Sequence, residues 1–564
     1  MAGDAADGRD GSFDYVIVGA GSAGCVLASR LSEDREVKVL VLEAGGPARG
    51  LFVDMPVAFP AYAGAPRLNW NFLSEPEPGL NGRRIPILRG KVLGGSSAIN
   101  GLVYARGHRG DYDAWRTMGL EGWGYREVLP YFKRSERSWL GAGPYHGDAG
   151  ELEVTAPDAA CVLADVVGAA TAAAGYPVTD DYHGERSEGF MRMEMTATRR
   201  GRRASAARAF LFPAMRRGNL TVRSHALVHR VIIERGRAVA VEYARDGRVC
   251  CARAEREVIM SGGVYGSAQV LLLSGVGPAD ELRAHGIAPQ VDLPGVGGNL
   301  IEHPLAFTLN AAHPRTFLSQ LRVDRAVLSV IRWALFGSGP FATNACAGNV
   351  FLRTEAHLDR PDMQLTCPAG GAAAEPGARI WYPLIAKPPA HGLAVAVSMI
   401  REESRGRVTL RSANPADPPR ILFNLFSEPS DVARMIRGIR AARAIYAQEP
   451  LKSLIEREVA PGPEVQSDAD LERYIRATGA ITHHPVGTCR MGLDERAVVD
   501  AALRVRGIEA LRVADASVMP NVPGGNTNAP TIMVAEKAAD LIRGKTLPAA
   551  RLPAARAPAM PDRA

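Results

Sequence analysis

The sequence predicts an α/β protein that opens with a Rossmann-type domain. Two observations carry this prediction: a strand–turn–helix–strand pattern with three spaced glycines at the start, and a length of 564 residues. A chain of that length exceeds one ordinary hydrophobic core, so we expect at least one further domain. Hydrophobic residues make up 46% of the chain and charged residues 23%, as in globular proteins.

The first strand–turn–helix unit carries a nucleotide-binding pattern. An apolar run over residues 14–18 reads as a buried strand, and it leads into G-x-G-x-x-G at Gly19, Gly21 and Gly24. A second strand, VKVLVLE, ends at Glu43, about 20 residues after the third glycine. The glycines let the backbone approach a pyrophosphate, and the acidic residue accepts hydrogen bonds from a ribose. The unit predicts NAD or FAD binding; its N-terminal position favours FAD, and a purely structural turn is the alternative.

Composition narrows the class of protein. The net charge of +7 comes from 67 basic and 60 acidic residues scattered along the chain, so no nucleic-acid surface is predicted. Seven cysteines without a C-x-x-C pair indicate a reducing compartment rather than a disulfide framework. The sequence shows neither a signal peptide nor an apolar run of about 18 residues, so no transmembrane segment is expected. We expect a soluble, cytoplasmic protein.

A second glycine-rich loop lies at residues 89–115, RGKVLGGSSAINGLVYARGHRGDYDAW. Backbone N–H groups around Gly94, Gly95, Ser96 and Ser97 can converge on an anionic or carbonyl-rich ligand. A solvated surface loop is the alternative for these residues alone.

This loop resembles the first signature of the glucose–methanol–choline (GMC) flavoprotein oxidoreductases. Further segments similar to that family are GVYGSAQVLLLSGVG at 263–277, LPGVGGNLIEHP at 293–304 and the stretch from residue 507 onward. The resemblance extends from residue 12 to about residue 545 and is closest to the choline-dehydrogenase-like and alcohol dehydrogenase branch. It implies the GMC fold, which is α+β overall: a Rossmann-type FAD-binding domain and a substrate-binding domain with a mostly antiparallel sheet.

The resemblance also implies a discontinuous domain order. The FAD-binding domain would use residues 1–155, 205–315 and 480–545, and the substrate-binding domain residues 156–204 and 316–479. Residues 546–564 are rich in Pro, Ala and Arg and are expected to form a disordered tail.

Family resemblance assigns roles around the cofactor. The first glycine loop would hold the FAD pyrophosphate, Glu43 the adenosine ribose, Val228 the adenine through its backbone, and Asp515 the ribityl chain. The full implied FAD-binding set is Gly19, Gly21, Ser22, Ala23, Gly24, Glu43, Ala44, Gly90, Val92, Gly94, Gly95, Ser96, Asn100, Gly101, Val103, Val228, Asp515, Ala516, Asn528, Pro530 and Thr531. Some family members attach FAD through a histidine just before the position of Asn100. Ile99 stands there, so non-covalent FAD is expected.

The segment ITHHPVGTCRMG, residues 481–492, contains two adjacent histidines. Neighbouring residues point to opposite faces of a strand, and Cys489 is the one cysteine near them, so the spacing does not fit structural zinc and no metal is predicted. From these residues alone, packed histidines remain the alternative. The family resemblance implies that His484, directly before the proline, is the active-site base.

The partner of His484 is expected at Asn528, in NTNAPTIM. A helix that opens near Pro530 would point its N-terminus at the flavin and stabilise negative charge there. His483, Trp381 and Tyr382 are the expected substrate-pocket residues.

These features predict FAD-dependent oxidation of an alcohol, with a primary alcohol favoured, to the aldehyde. His484 would take the hydroxyl proton while flavin N5 takes the hydride. Electrons would pass to a quinone-like acceptor or to O2, with a dehydrogenase favoured. Alternatives are a hydroxymethylfurfural- or aryl-alcohol-type oxidase that makes H2O2, and a non-redox flavoprotein of the hydroxynitrile lyase kind. The sequence does not predict which alcohol reacts or the oligomeric state.

Overall fold

The structure, a computed structural model, describes residues 9–48, 50–62, 64–314, 316–372 and 390–553. Its β-strands in chain order are β1 (Arg9–Val18), β2 (Val39–Leu42), β3 (Phe72–Leu73), β4 (Pro86–Ile87), β5 (Glu136–Ser138), β6 (Leu152–Val154), β7 (Gly189–Arg192), β8 (Leu220–Arg223), β9 (Leu227–Glu234), β10 (Arg237–Arg245), β11 (Arg248–Met260), β12 (Val276–Gly277), β13 (Val291–Asp292), β14 (Pro304–Ala312), β15 (Cys346–Leu352), β16 (Met363–Pro368), β17 (Gly371–Ala372), β18 (His391–Met399), β19 (Arg407–Thr409), β20 (Arg420–Leu422), β21 (Ile455–Ala460), β22 (Ala480–Ile481) and β23 (Leu511–Val513).

The α-helices in chain order are α1 (Ser22–Leu31), α2 (Leu51–Asp54), α3 (Phe59–Tyr62), α4 (Arg109–Thr117), α5 (Tyr125–Ser135), α6 (Ala159–Val162), α7 (Ala164–Ala173), α8 (Phe212–Ala214), α9 (Gly263–Leu273), α10 (Ala279–Ala284), α11 (Val323–Phe336), α12 (Pro429–Tyr446), α13 (Asp468–Thr478) and α14 (Asn528–Ile542).

The first large sheet confirms the predicted Rossmann-type unit. Its strand order is β8-β2-β1-β11-β10-β9, and β23 adds to β11. Strands β8, β2, β1, β11 and β23 pair in parallel, whereas β9 and β10 extend the sheet as an antiparallel hairpin. Strand β2 is buried along its whole length, as expected for a parallel strand covered on both faces.

The second large sheet confirms the predicted antiparallel substrate-side sheet. Its strand order is β21-β14-β18-β16-β15-β7, with β17 on β18 and β22 on β14, and these pairs are antiparallel. Strand β14 lies inside the segment 205–315 that was expected to belong to the FAD-binding domain. Since β14 pairs with β18 in the second sheet, this segment changes sheets before Pro304 rather than at 315.

A cluster of charged side chains connects four segments of the chain: the residues before α4, strand β5, the residues before β6 and the residues before β7. Arg106 Nη2 lies 2.6 Å from Glu136 Oε2, and His146 lies 3.3 Å from Glu136 and 3.1 Å from Asp181. Burial alone would lower the pKa of His146, but its hydrogen bonds with Asp181 and Glu136 raise that pKa to about 9. Burial likewise acts to raise the pKa of Glu136, and Arg106 and His146 hold it at about 2. The charges are therefore mutually compensated in the core.

The C-terminal tail differs from the prediction. Leu547 N donates to the Tyr131 hydroxyl at 3.1 Å, and Ala550 N donates to the Arg126 carbonyl at 2.7 Å, so residues 547–550 run along α5. Apolar contacts with Leu547 and Leu552 explain this ordering, which a composition rich in Pro, Ala and Arg conceals. The remainder of the predicted tail, residues 554–564, lies outside the described residues.

Two further observations bear on the expected location. Within the described ranges, no helix is both long and apolar enough to cross a membrane. The cysteines, all of which lie in the described ranges, do not form disulfides with one another. The cytoplasmic location remains a prediction.

Candidate active site

A cavity of about 910 Å³ lies between the two large sheets. One wall is formed by residues at the carboxyl ends of parallel strands, where ligands of open α/β sheets bind. These are Val18 at the end of β1, Glu43 after β2, Ser261 after β11 and Asp515 after β23. The opposite wall is one face of the antiparallel sheet.

The N-terminus of α1 is shaped to receive an anion. Gly21 is its N-cap, no side chain caps it, and its first turn holds no acidic residue. A Cβ on Gly24 would meet Gly19 O at 1.9 Å, so only glycine lets α1 start this close to β1. A Cβ on Gly21 would meet no atom within 4 Å and would project into the cavity side of the turn. A pyrophosphate therefore fits this turn.

The second glycine loop packs directly on the first. Gly95 has a φ of +52° and a Cβ there would lie 2.7 Å from Gly21 Cα. Gly94 N donates to Ala20 O at 2.8 Å, which fixes the two loops to each other. The loop is thus part of the cavity wall, and the alternative of a solvated surface loop is wrong.

Glu43 closes the nucleotide end of the cavity. Its carboxylate accepts hydrogen bonds from Ala20 N and Gly45 N, both at 2.8 Å, and burial raises its pKa to about 7. A carboxylate has about four acceptor sites, so two remain for ribose hydroxyls. The predicted contact with ribose fits this geometry.

Asp515 is bound by protein donors on both of its carboxylate oxygens. Ser267 Oγ and Gly263 N donate to one carboxylate oxygen at 2.6 and 2.8 Å, and Ser517 donates to the other through its backbone N and its hydroxyl. These four donors fill the acceptor capacity of the carboxylate. Asp515 therefore ties α9 to the segment after β23, and it also lines the cavity; its contact with the ribityl chain stays a prediction.

Most of the implied FAD-binding residues lie together. The cavity is lined by Gly19, Gly21, Ser22, Ala23, Glu43, Ala44, Gly90, Gly95, Ser96, Asn100, Gly101, Val103, Val228, Asp515, Ala516, Asn528 and Thr531. Gly24, Val92, Gly94 and Pro530 do not line it and serve packing behind it. Trp381 and Tyr382 lie outside the described residues.

Several lining residues had no signal in the sequence. Three neighbouring strands of the second sheet each contribute two side chains to the cavity: Leu305 and Phe307 on β14, Ala396 and Ser398 on β18, Gln364 and Thr366 on β16. Each pair is two residues apart, as alternation along a strand requires. These residues come from strands far apart in sequence, so only the sheet register brings them together. We call this set the sheet face.

His484 lies in the cavity wall where the sheet face meets the α14 N-terminus. Its Nε2 is 2.9 Å from Asn526 Nδ2, and its Nδ1 is 3.3 Å from His303 Nδ1. Its backbone N donates to Glu302 Oε1 at 2.6 Å. The imidazole is therefore held from both ring nitrogens and from the backbone.

The structure differs from the predicted pairing of His484 with Asn528. Asn526 is the neighbour of His484, while Asn528 Oδ1 accepts from Ser22 Oγ at 2.7 Å. The reason is local: α14 begins at Asn528, and Asn526 belongs to the non-helical segment before it. Asn528 thus ties α14 to α1, and both helix N-termini meet the cavity.

Hydrogen bonds assign the tautomer of His484. Asn526 Oδ1 accepts from Gln364 Nε2 at 3.2 Å, which turns the Asn526 NH2 group toward His484 Nε2. Nε2 is then the acceptor, so the proton sits on Nδ1 and is donated to His303 Nδ1. His303 carries its own proton on Nε2, which has no hydrogen-bond partner among the described residues.

The pKa values keep this cluster neutral. Burial, followed by His303, His483 and Arg89, holds the pKa of His484 well below its usual 6.5. Burial lowers the pKa of His303 to about 3 and that of His483 to about 4. His484 Nε2 is thus unprotonated at neutral pH, and it lies beside Asn526 Nδ2 in the cavity wall.

The two adjacent histidines are not equivalent. His483 has a φ of +64°, in the left-handed region, and its carbonyl accepts from Arg89 Nη1 at 2.8 Å. His483 also lines the cavity, as expected for a pocket residue. Within the described ranges, no group of three or more His, Cys, Asp or Glu side chains could hold a metal ion.

Comparison with known proteins is consistent with this geometry. The family profile described as GMC oxidoreductase matches residues 13–305 with its N-terminal part and residues 402–535 with its C-terminal part. An oxygen-dependent choline dehydrogenase of Sinorhizobium fredii is 43% identical over 536 residues, covering 94% of this chain and 96% of that protein. The protein of the same name from Stenotrophomonas maltophilia is 42% identical over 543 residues, covering 95% of each.

Solved structures are similar over the same length. Pyridoxine 4-oxidase from Mesorbium loti has a TM-score of 0.83 at 30% identity and covers 94% of this chain and 98% of its own. Formate oxidase from Aspergillus oryzae RIB40, solved to study modification of its FAD, has a TM-score of 0.87 at 28% identity, with coverage of 95% and 99%. The chain belongs to the GMC oxidoreductase family and is an FAD-dependent oxidoreductase that acts on the CH–OH group of its donors.

Proposed function

We propose that this protein oxidises a primary alcohol to the aldehyde, with His484 as the general base. The observation that carries the proposal is the neutral imidazole whose unprotonated Nε2 faces the cavity beside the Asn526 amide. FAD, when bound, supplies the hydride acceptor. His484 Nε2 takes the hydroxyl proton, and the charge that develops on the imidazole is shared with His303 through the Nδ1 contact.

Asn526 positions the substrate oxygen. Its NH2 group can donate to the alcohol oxygen and hold it near His484 Nε2. Gln364 fixes the Asn526 amide, and Asn349 Oδ1 in turn accepts from Gln364 at 3.0 Å and from Thr366 Oγ1 at 2.8 Å. This chain of hydrogen bonds runs across strands β15 and β16, so the rigid sheet sets the orientation of the amide.

Non-covalent binding of FAD is part of the proposal. Ile99 lines the cavity at the position where a histidine would be needed for the attachment that some relatives use, and its side chain has no nucleophile.

Precipitating the holoenzyme with acid should therefore leave the flavin in the supernatant. Absorbance of pellet and supernatant between about 350 and 500 nm measures the partition. Flavin that stays with the precipitated chain would contradict the non-covalent assignment.

Replacing His484 tests the base. The variant His484→Ala should keep FAD but reduce it about 10²–10⁴-fold more slowly when an alcohol is added anaerobically, because the proton has no acceptor. Since the pKa of His484 lies below 6.5, the wild-type rate should stay flat from pH 8 down to 6.5 and fall only at lower pH.

His357, which is exposed, provides the matched control: His357→Ala should reduce at the wild-type rate. The rate of flavin reduction in both variants is measured by stopped-flow bleaching of the flavin absorbance. Reoxidation with air or with a quinone then identifies the electron acceptor, and we predict that the quinone is the faster oxidant. Equal rates for His484→Ala and wild type would refute the base, and no bleaching with any alcohol would favour a non-redox flavoprotein.

Substitutions of Asn526 and Asn528 should have different effects. Asn526→Ala removes a donor to the substrate oxygen and should slow reduction about 10²-fold with FAD retained. Asn528→Ala loses the contact with Ser22 and should lower FAD content while the rate at saturating FAD changes little. The FAD content after gel filtration and the stopped-flow rate of flavin reduction with excess FAD distinguish the two variants. If Asn528→Ala slowed reduction and Asn526→Ala lowered FAD content, Asn528 would be the partner of His484.

Charge in the cavity favours a neutral substrate over a quaternary ammonium. Aromatic residues are present, among them Trp70, Phe72 and Tyr265, but a trimethylammonium group also calls for a carboxylate. In the described part of the lining, the acidic residues are Glu43, Asp515 and Asp417. The first two are bound to backbone and hydroxyl donors, and Asp417 accepts from Ser412 and Asn414 in its own loop. The sheet face itself carries no charge.

A pair of isosteric alcohols tests this substrate class. Choline and 3,3-dimethylbutan-1-ol have the same shape and differ in one charge, so we expect kcat/KM to be at least about tenfold higher for the neutral alcohol. Steady-state assays with an artificial acceptor measure both. A preference for choline would show that a carboxylate of this chain reaches the substrate and would overturn the neutral class while leaving His484 as base.

A further inference from the structure

Helix α11 exposes an apolar face that no other described element covers. Six of its side chains are between 43% and 73% exposed: Val323, Val327, Leu328, Ile331, Leu335 and Phe336. Spacings of four and seven residues place most of them on one side of the helix, while Ala326, Ser329 and Trp333 are buried on the other. Exposed apolar residues are ordinary when scattered, but a contiguous set on one helix indicates an interaction surface.

Helix α2 extends this surface. Leu51 and Phe52 are 51% and 60% exposed. The turn at residues 198–202 joins the two helices: Trp333 Nε1 donates to Gly201 O at 2.5 Å, and Arg202 stacks over the Trp333 ring and lies 3.4 Å from Asp54 Oδ2. We call α11, α2 and this turn the docking surface.

The docking surface is basic at its border. Arg325 and Arg332 are exposed and, being seven residues apart, share one flank of α11; Arg199 and Arg200 are exposed on the adjoining turn. Its acidic side chains are already paired, Asp324 with Arg322 and Asp54 with Arg202 and Arg208. Apolar side chains are thus bordered by positive charge.

We propose that the docking surface binds an anionic lipid bilayer, with α11 lying in the plane of the interface. A helix with an apolar face and arginines on its flank is suited to the boundary between headgroups and acyl chains. Anionic lipids would neutralise the arginines, whereas a second copy of this chain would bring two basic borders together. Binding of this kind is peripheral and needs no spanning helix.

The surface borders the active site. Phe59, on α3 shortly after α2, lines the cavity, and a Cβ on Gly101 would pack against its ring at 3.6 Å. Docking would therefore bring this wall of the cavity close to the bilayer, where an apolar alcohol or a lipid-soluble electron acceptor would be concentrated.

Flotation of the FAD-loaded enzyme with lipid vesicles tests the proposal. We expect binding to phosphatidylcholine vesicles that contain about one third phosphatidylglycerol, weaker binding to phosphatidylcholine alone, and release by high salt. The double variant Leu328→Gln, Leu335→Gln should bind at least tenfold more weakly to both vesicles, because the exposed apolar area is lost. The double variant Arg325→Gln, Arg332→Gln should lose roughly 20–30-fold on the anionic vesicles only.

Leu493, which is 64% exposed and lies outside the docking surface, supplies the control: Leu493→Gln should bind like wild type. Alcohol oxidation in solution should be unchanged in all variants, which separates this proposal from the assignment of the active site. Failure of the wild type to bind anionic vesicles at low salt would overturn the proposal. So would a dimer, measured by sedimentation, that the leucine variant converts to monomer, since a second copy would then be the occupant.

Discussion

The active site depends on direct backbone contact between two glycine-rich loops. Gly95 approaches Gly21 so closely that a Cβ on Gly95 would lie 2.7 Å from Gly21 Cα, and Gly94 N donates to Ala20 O. Leu93 N also donates to Gly46 O at 3.0 Å, so the second loop is fixed to the ends of both β1 and β2. Because this contact is made by backbone atoms, it sets the width of the nucleotide end without relying on side-chain rotamers.

The other elements of the site are positioned relative to this contact, one after another. The first loop starts α1, and Ser22 in its first turn donates to Asn528 at the start of α14. The short segment just before α14 then places Asn526 against His484, while β14 and β22 bring Glu302, His303 and Ile481 to the same point. The two glycine loops and the part of the second sheet beside His484 thereby line the same cavity.

Short-range sequence patterns predicted those features of the fold that depend on short stretches of chain. The Rossmann-type unit and the second glycine loop could be predicted because glycine spacing and strand periodicity are short-range signals, and most of the residues proposed to bind FAD line one cavity. The asparagine that contacts His484 lies two residues from the predicted one, because NTNAPTIM contains two asparagines and only the helix start distinguishes their surroundings. The sheet face and the boundary at β14 could not be predicted, since both depend on strand pairing over long distances in sequence. The packing of residues 547–550 along α5 was not predicted, because it depends on two leucines, Leu547 and Leu552, in a segment otherwise rich in Pro, Ala and Arg.

Electrostatics explain why one cavity suits both an anionic cofactor and a neutral base. The uncapped N-termini of α1 and α14 and the side chains of Arg89 and Lys91 provide positive potential, whereas the lining carboxylates are occupied by protein donors. The same positive potential disfavours a proton on His484 and adds to the effect of burial on its pKa. Binding of an anion at the helix N-termini would relieve part of that potential. A bound anion would therefore offset part of the lowering of the His484 pKa to which Arg89 contributes, while the effect of burial would remain.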